Sequence, residues 1–236
     1  MGAAVTIASR DRDTLDSVVR DLEAAGAPST GAHRRVAVDF TKAGAVWEHV
    51  QQELDQGGPI HILINNGGGP PAGAITAAAS SDFVGWFEQH LIVNHLLAQA
   101  ILPGMRAAGY GRIINIISTS VRQPIPGLGV SNTIRGAVAS WSKTLAREVA
   151  ADGITVNNIL PGATETDRLT QLIRNRASAT GIPETQVADA MRKQIPAGRF
   201  GRPEEIGAAA GFLAGPTAGY ITGVSLAVDG GRTECL

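Results

Sequence analysis

Ser118 stands thirteen positions before Ser131, and Ser131 four before Arg135, in the stretch STSVRQPIPGLGVSNTIRGAV. Two hydroxyls and a guanidinium brought to one place can orient a polar oxygen and bind ribose or phosphate oxygens. The four-residue interval puts Ser131 and Arg135 on one face of a helix. What the trio lacks is a group that passes a proton near neutrality. An aliphatic hydroxyl ionises several units above the ~10 of an unperturbed phenol, and a guanidinium above ~12 keeps its proton. The tyrosines offer no substitute: Tyr110 lies in a GYGR turn ahead of one strand, and Tyr220 precedes the last strand. His90, on an apolar helical stretch, titrates in a useful range, but a lone histidine there is expected first as a packing residue.

Such side chains need a scaffold, and the chain alternates short apolar runs with longer amphipathic ones. The runs are 4–9, 35–40, 60–65, 112–117, 154–159 and 224–229. They are rich in Val and Ile with little polar alternation, the pattern of strands buried on both faces of a parallel sheet. Helical stretches are predicted near 41–56, 82–108, 131–150 and 203–214. This order predicts an α/β, Rossmann-type, doubly wound parallel sheet. Two further helical patterns occupy 167–200, broken at Gly181-Ile182-Pro183, and are expected to form a lid over a substrate.

Composition bounds the partners. The 236 residues suit a single domain, 1–236, and carry 20 basic and 21 acidic side chains for a net charge of −1. That balance gives no footprint for nucleic acid or an anionic membrane. The one cysteine, Cys235, excludes an intrachain disulfide and fits a reducing cytoplasm. No apolar run is long enough to span a bilayer, so no membrane partner is expected.

From GRIINIIS to ITVNNILPGATETD the chain resembles the short-chain dehydrogenase/reductase family. GGPP near 68–71 and PIPGLGVSNTIR point to its 3-oxoacyl-carrier-protein-reductase-like subgroup. The resemblance implies an oxidoreductase acting on a small carbonyl or alcohol substrate with NADP(H), and no metal. It assigns cofactor choice to Ser9 and Arg10, where an arginine suits a 2′-phosphate through paired, charge-assisted bonds. It places Asp39 and Phe40 beside the adenine, and Asn66 and Gly67, within Asn65-Asn66-Gly67-Gly68, on the adenosine side. The loop Pro161, Gly162, Ala163, Thr164, Glu165, Thr166 is assigned to the nicotinamide carboxamide. The family's catalytic serine falls on Ser118, but its tyrosine falls on Ser131, its lysine on Arg135 and its asparagine on His90, one turn before Asn94.

These departures leave two alternatives beside the oxidoreductase. One is a non-catalytic binding or assembly subunit. The other is a nicotinamide-independent lyase like the halohydrin dehalogenases, which carry Arg where Arg135 stands. The resemblance also implies a homodimer or homotetramer built on the helix 131–150. The chain opens at the family's second strand, with no GxxxGxG turn upstream of a helix. The family's first strand and Gly-rich turn are therefore expected to be missing, through a shortened start rather than natural loss. Either the flanking strands close up and pair directly, or residues 1–56 are held loosely against an exposed apolar edge. NADP(H) binding by this chain is then expected to be weak or absent.

Overall fold

β-branched and apolar runs give six strands: β1 (Thr6–Ser9), β2 (Arg34–Ala37), β3 (Ile62–Asn65), β4 (Gly111–Ile116), β5 (Ile154–Pro161) and β6 (Ser225–Val228). The structure is a computed structural model that describes residues 2–26 and 31–235. Helices α1 (Arg12–Ala24), α2 (Ala43–Gly57), α3 (Ser80–Phe87), α4 (Val93–Ala108), α5 (Gly129–Val149), α6 (Asp167–Thr180), α7 (Glu184–Lys193) and α8 (Pro203–Ala214) connect them. Every strand pairing is parallel, so each connection crosses a face of the sheet and helices cover both sides. Ile113, Ile114, Ile154, Val156, Ile159 and Leu160 are each at most 1% exposed, which is why β4 and β5 read as unbroken apolar runs. No described helix is long and apolar enough to cross a membrane.

The sheet is in two pieces. β1 pairs with β2, while β3, β4, β5 and β6 form a second ladder in that order, and no ladder joins β1 to β3 among the described residues. Of the two outcomes expected of these strands, closing up is not what is found. Ile64 of β3 is left 47% exposed. The smaller sheet is held from its far side instead: Val38, Ala43 and Val46 pack with Val93, with Phe40, Leu96 and Leu97 around them. Burying that apolar cluster between α2 and α4 fixes β1–α1–β2 at a distance from β3.

Two elements depart from the sequence expectation. α1 was not anticipated, because RDRDTLDSVVRDLEA is polar enough to hide its apolar stripe. Asp11 starts it, accepting from the backbone N–H groups of Asp13 and Thr14, and Leu15 is buried beneath it. The single helix expected over 82–108 is interrupted by a π-helical turn at Glu88–Ile92. Such a turn inserts an extra residue into the helix and shifts the faces on either side of it. Here it carries His90 into the interior.

A polar seam crosses the larger sheet. Asn65, Asn115, Asn158 and Ser225 are register partners on four adjacent strands. Asn65 Nδ2 donates to Asn115 Oδ1 at 2.8 Å, Asn115 Nδ2 to Asn158 Oδ1 at 3.1 Å and Asn158 Nδ2 to Ser225 Oγ at 3.2 Å. Ser142 of α5 accepts from Asn115 at 2.8 Å. Satisfied in this way, buried amides lock strand register and tie α5 to the sheet.

Candidate active site

Parallel pairing brings the carboxyl ends of the strands to one edge, where ligands of open α/β sheets bind. The predicted site residues lie along that edge in two groups. Ser9 and Arg10 end β1, and its register partner β2 leads directly into Asp39 and Phe40. Asp39 accepts from the Thr41 N–H at 3.0 Å. The Thr41 bonds, with added attraction from Arg10, hold its carboxyl below the usual range. Phe40 is drawn partly into the cluster between α2 and α4.

The second group lies across the break in the sheet. Asn65 ends β3, and Asn66, Gly67 and Gly68 follow as exposed loop. That loop is pinned to the start of α5: Gly73 N–H donates to Gly127 at 2.7 Å, and Gly129 N–H to Gly73 at 3.1 Å. Ser118 follows β4 and caps a short 3-10 turn, accepting from the Ser120 N–H at 3.1 Å. Ser131 and Arg135 are both buried on α5, on the shared face that their spacing predicted. Arg135 donates to the carbonyls of Ile116, at 3.1 Å, and Gly67, at 3.3 Å, bridging the end of β4 and the loop after β3. Burial, then the nearby charge of Arg168, push its pKa down to about 10. It remains a cation at neutral pH.

The loop after β5 completes the edge. Pro161 ends the strand, and a Cβ on Gly162 would stand 2.8 Å from Asp229 Cα, so the chain passes there only as glycine. Thr164 Oγ1 donates to the Gly162 carbonyl at 3.2 Å. Thr166 caps α6: its hydroxyl donates to the Thr164 carbonyl and accepts from the Leu169 N–H. An open cavity of about 350 Å³ lies at the root of α6, lined by Thr166, Ile173 and Phe200 among others.

Sequence reasoning missed Arg168. From the first turn of α6 it reaches across the cleft to the carbonyls of Gly69 at 2.9 Å and Pro70 at 3.1 Å. Its only signal was its place two residues after Thr166, and that shows nothing until α6 is known to fold over the loop after β3. His90 is packed in the interior, the role the sequence expects of it first. Burial above all, then the charge of Arg135, lowers its pKa to about 4, so it is neutral and no acid near pH 7. Its ring stacks on Trp86 with centroids 5.7 Å apart, and its Nε2 is buried without a partner among the described residues.

The residues fit NADP(H) at one end only. Arg10 beside Ser9 is open and positive, as a 2′-phosphate requires. The N-terminus of α1, however, is already occupied by the Asp11 carboxylate, with Asp13 in the same turn. That end repels rather than cradles a pyrophosphate.

The family described as Enoyl-(Acyl carrier protein) reductase matches residues 1–233. A 3-oxoacyl-[acyl-carrier-protein] reductase of Pseudomonas aeruginosa is 33% identical over 98% of this chain and 87% of its own. L-sorbose reductase from Gluconobacter frateurii, solved with NADPH and L-sorbose, superposes with a TM-score of 0.91 at 30% identity, covering 100% of this chain and 89% of that one. An NADPH-dependent reductase involved in bacilysin biosynthesis gives 0.91 at 27% identity over 99% and 89%. Matched by that family over residues 1–233 and by relatives over nearly its whole length, the chain belongs to the short-chain dehydrogenase/reductase family, a family of oxidoreductases.

Proposed function

We propose that this chain is an NADP(H)-dependent oxidoreductase that interconverts a carbonyl and an alcohol on a small molecule. The observation that carries the reading is Arg135, which shares a buried face of α5 with Ser131 and ties the end of β4, just before Ser118, to the loop after β3. Arg10 at the end of β1 favours NADP(H) over NAD(H). When bound, the nicotinamide supplies or takes the hydride. Ser118 has an accepting lone pair occupied by Ser120, which leaves its O–H to orient the substrate oxygen. Arg135 uses two donors on carbonyls and keeps the others for an oxygen in the cleft. Ser131 adds a second hydroxyl that polarises the substrate oxygen, and water delivers the proton. Helices α6 and α7, packed on their own core of Leu169, Ala188, Ile195 and Phe200, close the cleft as a lid.

The unpaired edges of β1 and β3, and the acidic start of α1, make cofactor binding by this chain alone weak. Neutral His90 and the alkanol at Ser131 favour a second reading, a binding or assembly subunit that does no chemistry. The test grafts the first strand, turn and helix of the Pseudomonas aeruginosa relative ahead of residue 1 and follows NADPH oxidation with small ketones, aldehydes and keto sugars. Oxidation is expected. NADPH binding without turnover would move the assignment to the second reading, and neither binding nor turnover in a folded graft would overturn both.

A further inference from the structure

Arg135 and Arg168 come from different elements and converge on one glycine. A Cβ built on Gly69 would stand 3.0 Å from Arg168 Nη2 and 3.2 Å from Arg135 Nη2, so both guanidinium tips flank the same point of the loop. Arg135 is 8% exposed, and neither guanidinium joins an ion pair within 4.0 Å among the described residues. Two neighbouring positive charges, one of them buried, are costly without an anion. The carbonyls of Gly67, Gly69, Pro70 and Ile116 occupy some of the ten donors but neutralise neither charge. Beside them His90 is held neutral, chiefly by burial and then by the charge of Arg135, and its buried Nε2 has no partner among the described residues.

We propose that Arg135 and Arg168 form a two-guanidinium receptor for an oxyanion, so that the molecule handled in this cleft carries a carboxylate or a phosphate. That its bearer is the substrate rests on the oxidoreductase reading; that an oxyanion binds does not. Paired guanidiniums suit such a group because each presents donors in a fork matched to two oxygens. Arg168, on the exposed side, closes the receptor from α6, and the anion would fasten α6 to the loop after β3.

The test is calorimetric titration of the 236-residue chain at low ionic strength with inorganic phosphate and, separately, with succinate. Binding of at least one is expected, weakened about tenfold or more in Arg168→Gln, because a lost charge-assisted bond costs at least that much, and weakened less in Arg168→Lys, which keeps the charge but not the fork. Arg168 is exposed, so its variants should fold, and circular dichroism checks this. Phosphate alone identifies a phosphorylated ligand, succinate alone a carboxylic one, and either upholds the receptor. No heat from either ion with folded protein, or equal affinity in Arg168→Gln, overturns it. NADPH titrated into the same samples reports on the cofactor separately, so the receptor can stand where the oxidoreductase reading fails, and the reverse.

Discussion

At the scale of single residues, the departures at Ser131 and Arg135 are chemical rather than geometric. The helix face survives, and Arg135 still reaches the ends of two strands. A phenol and an ammonium restored together, Ser131→Tyr with Arg135→Lys in the grafted chain, should raise carbonyl reduction by about 100–10,000-fold, the worth of a positioned general acid. Steady-state rates check this, and no gain would mean that these positions do not face the reacting oxygen. His90 makes a separate prediction. Its folded pKa, about 4, lies below the ordinary 6.5 because of burial and then Arg135. The unfolded chain therefore binds the proton first as pH falls. Stability is fully present above about pH 6.5 and is lost progressively toward pH 4, by roughly 3 kcal/mol in all. Urea unfolding of the wild type and His90→Gln across that window should show a slope in the first that is shallower in the second; parallel curves would contradict the assignment. That Ser131 and Arg135 share one helix face was legible, because their four-residue interval sets it. Arg168 was not, since its role depends on a long-range contact between α6 and residues 69–70.

At the scale of elements, uninterrupted Val and Ile runs made β4 and β5 readable, because burial on both faces leaves no polar alternation. α8 was read to its ends, where Pro203 opens it. The π-helical turn at Glu88–Ile92 was illegible, since nothing in a local apolar period announces an extra residue. Nor could the asparagine seam be seen before the register was known. The unit β1–α1–β2 meets the rest chiefly through α2 on α4. Val46→Ala, at 2% exposure, should therefore cost about 2 kcal/mol. It should also loosen that unit selectively. Hydrogen exchange is expected to quicken in β1, α1 and β2 while β4 and β5 stay protected; a uniform change would show that the smaller sheet is held some other way.

At the scale of the whole molecule, several large apolar side chains are left exposed. Val84, Phe87 and Ile92 stand out along α3 and the π-helical turn, and Phe212, Tyr220 and Leu226 around α8 and β6. Exposed apolar patches mark contact surfaces, and closed two-fold assembly covers such surfaces. Light scattering at micromolar concentration should report a dimer or tetramer, and a monomer would remove that expectation. The account turns most on the break between β1 and β3. We propose that Arg10 and the edge loops recognise NADP(H), but that no helix N-terminus among the described residues is free to meet its pyrophosphate. Calorimetric titration of NADPH into the 236-residue chain and into the chain carrying the grafted strand, turn and helix tests this most directly. Weak or undetectable binding is expected of the first and micromolar binding of the second; micromolar binding by the ungrafted chain, or none by the grafted one, would refute the proposal.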